Sequence, residues 1–275
     1  MRTLLLVTCA VLISISASSQ GLHSRATHLP CIEKEFPVIV HLSVDSISNR
    51  PFLSNKDVEG LLNLTSAFFD PICMSFTACE INHIDVYTFN TVVDSNRLTE
   101  MRILFGKPRR LNIYIVGSIP EAYCGTSMLY GIDKEHGEYI YLEREDCFDS
   151  LQGQLAHHLG HFFGLSDTYA GNATSYVNDQ NCEIVADSLC DTATDPFGFF
   201  QGSPGRYIDP QGDFLDPINF VKDCEFILEE KDPDGEYYQP DVSNIMSAYP
   251  CKCGFTNGQF LKIVENYSKS ENKPY

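Results

Sequence analysis

The side chains best placed for chemistry sit in QLAHHLGHFFGLSDTY, Gln154 to Tyr169, where His157, His158 and His161 fall within five positions and Asp167 follows. Two histidines four apart on a helix share a face, one turn apart, with Cβ atoms about 6 Å from each other. Both imidazoles can then reach a single cation at the roughly 2.0–2.1 Å of a zinc–nitrogen bond. His157 and His161 have that spacing. Gly164 permits a sharp turn after the second histidine. Asp167, three residues past that glycine, can swing back as a third ligand, since a carboxylate oxygen binds zinc at about 2.0–2.2 Å. The pattern predicts a metal centre of two imidazoles and one carboxylate, with His158 beside it.

Such a site needs a helix to carry the histidines and a scaffold to hold the helix. The helix is predicted from about Ser150 to Phe163, stopped by Gly164. FPVIVHLSV, Phe36 to Val44, is β-branched and bounded by turn residues, so it reads as a strand. Ser54 to Phe69 opens on a serine cap and carries Val58, Leu61, Leu62 and Leu64 at helical spacing. LNIYIV, Leu111 to Val116, is a second buried strand, and EYIYLE, Glu138 to Glu143, alternates as an edge or half-exposed strand does. Residues 166–242 are rich in Gly, Pro, Asp and Asn and show little periodicity. A closing helix is expected over Thr256 to Tyr267, with Phe260, Leu261, Ile263 and Val264 as its apolar face.

On these blocks the chain resembles the metzincin metallopeptidases, whose zinc signature HExxHxxGxxH is followed by a methionine turn, and within them it looks closest to the pappalysin group. LAHHLGHFFGLSDTY is similar to that group's LAHELGHFFGLYHTH, and CDTATD, Cys190 to Asp195, to its CDTPxD. SNIMSAYP, Ser243 to Pro250, resembles its methionine turn, with Met246 as the methionine, and GFTNGQFLKI the helix start that follows. FPVIVHLSV and LNIYIV resemble its first and third core strands. The resemblance implies an α+β, metzincin-like fold. A twisted mixed β-sheet would carry backing and active-site helices, and an irregular, disulfide-rich C-terminal subdomain would follow. It also implies one zinc ion on His157, His161 and Asp167.

The same comparison exposes departures at the positions that do chemistry. In the family a glutamate follows the first histidine and takes a proton from zinc-bound water; here that position is His158. A neutral imidazole with a reference pKa near 6.5 can accept a proton. Its ring is shaped differently, however, and it lacks the negative charge that supports the incipient hydroxide. Loss of a general base typically costs about 10²–10⁴ in rate. Asp167 stands where the family has its third histidine. Ala248 stands where it usually has a tyrosine near the metal, with Tyr249, the candidate substitute, one residue later.

The chain has 275 residues, 43% hydrophobic and 12% aromatic, enough for a sizeable core. With 37 Asp+Glu against 19 Lys+Arg the net charge is −18, which argues against nucleic acid or an anionic membrane as partner. Arg2, the apolar run Leu4 to Ile15 and the small residues Ala17-Ser18-Ser19 read as a signal peptide over 1–19, too short to span a bilayer and with no lipoprotein cysteine at its end. A short leader over 20–35, an N-terminal subdomain over 36–165 and a C-terminal subdomain over 166–275 would follow. Of eleven cysteines, removing Cys9 with the signal peptide leaves ten, an even number that favours disulfides in an exported protein. Cys73–Cys79 and Cys124–Cys147 are expected as local bridges, leaving Cys31, Cys182, Cys190, Cys224, Cys251 and Cys253 without an assigned pairing. Asp232, Asp234 and Glu236 in KDPDGEYY alternate as calcium ligands do, but their spacing does not fit a full EF-hand, and a solvated acidic turn is the preferred reading. Asn63, Asn172 and Asn266 lie in N-x-S/T sequons.

These features predict an exported metallopeptidase homologue that binds metal but is impaired or inactive in hydrolysis, its old substrate cleft holding a protein or peptide. The alternatives are an active zinc endopeptidase with a His₂Asp site, and a metal-free, disulfide-braced binding or structural protein.

Overall fold

The aliphatic run Val38 to Leu42 forms the middle of the first strand, β1 (Lys34–Ser43), and the main sheet is built outward from it on both sides. The structure, a computed structural model, describes residues 29–45, 47–48, 50–91, 95–119, 125–127, 135–144, 150–169, 176–177, 182, 187–197, 221–229 and 231–269. β1 runs parallel to β2 (Met74–Ile84) on one side and to β3 (Leu111–Val116) on the other. β3 continues in parallel to β5 (Glu138–Glu143), and β4 (Gly125–Ser127) closes the edge antiparallel to β5. The order is β2-β1-β3-β5-β4.

The period of two along each strand sorts the sheet into two faces. One carries Val38, Val40 and Leu42, Leu111, Ile113 and Ile115, and Ile140 and Leu142, packed in a single core with Val58 and Leu62 of α1 (Asn55–Ala67) and Leu155 and Leu159 of α3 (Leu151–Phe162). Phe260 and Ile263 of the last helix, α4 (Asn257–Lys269), complete that core, whereas Leu261, assigned to the apolar face, is 49% exposed. The opposite face carries a stack of His41, Tyr114 and Tyr141, with ring centroids 4.5 and 4.7 Å apart, next to Met101 of α2 (Ser95–Phe105). Ser54 caps α1 in a capping box with Asp57, as its position before the periodic run predicts.

β5 is not an edge strand. It lies between β3 and β4 with five of its six residues buried. The alternation of EYIYLE reflects two different covers: the core on one side, and α2 on the other, where the Tyr141 hydroxyl donates to Leu98 O at 2.5 Å. A parallel sheet is buried on both faces, so tyrosine there is no sign of solvent. β2, which the expected element order omits, is a long strand whose sequence MSFTACEINHI is half polar because it lies at the sheet edge.

Three disulfides are present among the described residues: Cys31–Cys73, Cys182–Cys190 and Cys224–Cys251. The expected Cys73–Cys79 bridge is corrected by this. Cys79 is a free, exposed thiol on β2, and Cys73 immediately precedes that strand. Six residues of extended chain span about 20 Å, far beyond the roughly 4.4–6.8 Å between Cα atoms that a disulfide bridges. Cys31 and Cys73 meet instead because β1 and β2 start side by side, with Ile32 N–H donating to Ile72 O at 2.8 Å. Cys253 is likewise free and exposed. Cys124 and Cys147 lie outside the described residues, as do the signal-peptide segment and Asn172. Among the described residues, no helix is long and apolar enough to cross a membrane.

Candidate metal centre

α3 presents His157 and His161 on one face, and glycine shapes both the helix surface and its end. A Cβ on Gly160, between the two histidines, would collide with Met246 Sδ, so the bare backbone is what lets the turn around Met246 close on the helix. Gly164 has φ +87°, a left-handed conformation natural to glycine at a helix C-terminus. Asn266 Nδ2, from α4, donates to Phe163 O at 2.8 Å and fills the space beside Gly164. From there the chain runs through Leu165 to Asp167, and Thr168 N–H donates to Met246 O at 3.0 Å.

This brings the three predicted ligands together. Nε2 of His157 and Nε2 of His161 each lie 3.3 Å from Asp167 Oδ1. On the far side of each ring, His157 Nδ1 is 2.9 Å from Ile245 O and His161 Nδ1 is 2.9 Å from Leu165 O. A carbonyl only accepts, so both Nδ1 atoms carry a proton, and in the neutral rings both Nε2 atoms present a lone pair toward Asp167. Asp167 Oδ1 is buried and has no hydrogen bond. Two imidazole nitrogens and a carboxylate oxygen therefore converge, an arrangement that either a proton on His161 Nε2 or a cation would satisfy. Ligands about 2.0–2.1 Å from a tetrahedral centre lie roughly 3.3–3.4 Å apart, which the two separations from Asp167 Oδ1 match. The residues present fit the metal that the fold implies.

His158 is 5% exposed, and a ligand atom from each of His157, His158 and His161 lies within 4.8 Å of the others. Burial, with the positive charges of His161 and Lys252 acting in the same direction, lowers the His158 pKa to about 3. Burial also holds His157 well below the ordinary value, again with Lys252 contributing. For His161 burial works against the charged form, but the hydrogen bond and charge of Asp167 outweigh it and raise the pKa. Lys252 thus belongs to the electrostatics of the site. Its ammonium donates to Ser247 O at 2.6 Å, and its stem lies 3.6 Å from where a Cβ on Gly153 would be.

The loop under the site is held by buried polar side chains. Asn244 and Gln259 exchange two amide hydrogen bonds of 3.1 Å, and Asn244 Oδ1 also accepts from Met246 N–H at 2.8 Å. Tyr249 is fully buried, and its hydroxyl donates to Asp195 Oδ1 at 2.9 Å. The same carboxylate accepts from Phe197 N–H at 3.0 Å and, through Oδ2, from Thr168 Oγ1 at 3.0 Å. Asp195 therefore ties the segment bearing Asp167 to the turn bearing Tyr249, and burial raises its pKa to about 6. Burial and the neighbouring Asp195 push the Tyr249 phenol far upward. Sequence reasoning did not single out Asp195, Gln259 or Lys252. The first two lie inside matched blocks, CDTATD and GFTNGQFLKI, but only long-range contact reveals their partners.

Of the other candidates, Asp232 is 6% exposed and accepts from the backbone N–H groups of Val177, Asp234 and Glu236 at 2.9–3.0 Å. Its carboxylate builds a turn, the plainer of the two readings of KDPDGEYY. Asn63 is exposed on α1, while the Asn266 amide is engaged at the end of α3. Among the described residues, His157, His158 and His161 also offer one ligand atom each within 4.8 Å of one another.

No family model matches the chain, and no curated protein matches it in sequence. Among solved structures, the chain is similar to mature mirolysin of Tannerella forsythia in complex with a cleaved peptide. The likeness covers 87% of this chain and 93% of that one, with a TM-score of 0.50 and 13% identity. A chaperone–substrate complex aligns over 56% of this chain and 29% of its own at 12% identity and a TM-score of 0.32, too slight a likeness to bear on the fold. The chain shares the α+β fold of mirolysin over most of both chains.

Proposed function

We propose that the protein is an exported, pappalysin-like metallopeptidase homologue. In this reading it binds one zinc ion at His157, His161 and Asp167 and is impaired or inactive in peptide-bond hydrolysis. The observation that carries it is the meeting of two imidazole nitrogens with one carboxylate oxygen, each 3.3 Å from it. When bound, zinc would supply a Lewis acid for a carbonyl or a water. His157 and His161 orient their free nitrogens through Nδ1 bonds to Ile245 O and Leu165 O, the outer contacts that fix a ligating histidine. Thr168, held to Met246 O and Asp195, steers Asp167.

At position 158 the chain has no carboxylate to take the proton. His158 occupies that position and is buried. The Tyr249 hydroxyl, engaged by Asp195, does not substitute for the tyrosine absent at Ala248. The remaining role is the binding of a protein or peptide in the former substrate cleft. Export is supported by the charged and apolar N-terminal residues and by three disulfides, which persist in oxidising compartments.

The test is hydrolysis of casein and of a quenched peptide library, each with and without a chelator. The wild-type protein should show no chelator-sensitive cleavage, and His158→Glu should gain it. Robust chelator-sensitive cleavage by the wild type would contradict the impairment.

A further inference from the structure

A base that serves a metal-bound water has to face that water, yet His158 is 5% exposed and lies against the two histidines on either side of it. Its ring meets that of His157 edge-on, with centroids 5.2 Å apart and planes at 90°, and stands 6.0 Å from that of His161. On a helix, His158 and His161 are neighbours at i, i+3 as His157 and His161 are at i, i+4. A nitrogen from each of the three imidazoles lies within 4.8 Å of the other two. Ligands of a tetrahedral zinc lie about 3.3 Å apart, so the three imidazole nitrogens are at most about 1.5 Å wider apart than ligands of one ion.

We infer that His158 is a fourth protein ligand, which makes the centre a closed His₃Asp site instead of a His₂Asp site with an open position. The inference rests on the zinc reading above and gives it a cause. Catalytic zinc keeps one position for water or substrate, whereas four protein ligands fill the tetrahedron. Hydrolysis then fails because no water can be held, and replacing the lost base alone is a secondary matter. Restoring glutamate at 158 removes the surplus ligand and supplies the base in one step. The centre itself becomes a clamp joining α3 to the segment after Gly164.

The wild-type protein, disulfides intact, is loaded with cobalt(II) and its visible spectrum recorded while azide or acetohydroxamate is added. A closed site gives an intense tetrahedral spectrum that neither ligand changes. His158→Ala opens a position, so its cobalt spectrum should respond to both ligands, and its zinc affinity, read by competition with a chromophoric chelator, should fall at least about tenfold. A wild-type cobalt spectrum that shifts with azide overturns the inference without any variant, and so does equal zinc affinity in wild type and His158→Ala. A wild-type protein that takes up neither metal overturns the zinc reading itself, and this inference with it.

Discussion

Single residues decide whether this site can act, and the proposed metal ligands were the most legible. His157 and His161 follow from helix geometry alone, which is local, and Asp167 from the reach of a short turn after Gly164. Asp195 was not legible. Its partners, Thr168, Phe197 and Tyr249, are as many as 54 positions away, and nothing in CDTATD indicates that its carboxylate is buried among them. Its raised pKa yields a prediction with a definite sign. The folded protein holds the Asp195 proton more tightly than the unfolded chain, so this group's stabilising contribution is fully present below about pH 4 and is lost as pH rises through about 6. Roughly two pKa units correspond to about 3 kcal/mol at most. Asp195→Asn keeps Oδ1 as acceptor for Tyr249 and Phe197, and the Thr168 hydroxyl can turn to accept from the new amide. Thermal melts of the metal-free protein should therefore show the variant gaining on the wild type between pH 4 and pH 7. A gap that does not change with pH would contradict a buried, proton-retaining Asp195.

At the scale of elements, the strands β1 and β3 and the helices α1, α3 and α4 fell close to their predicted spans because each has a strong apolar pattern bounded by turn or breaker residues, with a capping box on α1. α3 runs over Leu151–Phe162 against an expected 150–163. β2 and the interior place of β5 escaped for a shared reason. An edge strand is half polar, and a strand covered by tyrosines on its second face reads as though that face were wet. The contact between α3 and the turn around Met246 is the element-level feature on which the site depends. Gly160→Ala would force Met246 Sδ aside and carry Ile245 O away from His157 Nδ1. Overpacking of this kind costs about 1–3 kcal/mol. The substitution should lower both the melting temperature of the metal-free protein and its zinc affinity. Unchanged zinc affinity in a destabilised variant would show that the turn supports the fold but not the ligands.

For the whole molecule, fold class was legible in the order of its blocks, and mirolysin, at 13% identity, shares its architecture. Disulfide pairing was not, because proximity along the chain misleads where the chain is extended. Cys73 pairs with Cys31, 42 positions away, through the parallel start of two strands. The account as a whole stands on a convergence that joins distant segments. Two imidazoles from α3 and a carboxylate beyond its end meet, and Ile245 of the Met246 turn orients one of the rings. Zinc content of the purified protein tests that most directly. One zinc per chain is expected in the wild type, dropping well below one after dialysis in His157→Ala, His161→Ala and Asp167→Ala. Zinc-free wild-type protein after incubation with excess metal, or full occupancy in all three variants, would contradict it.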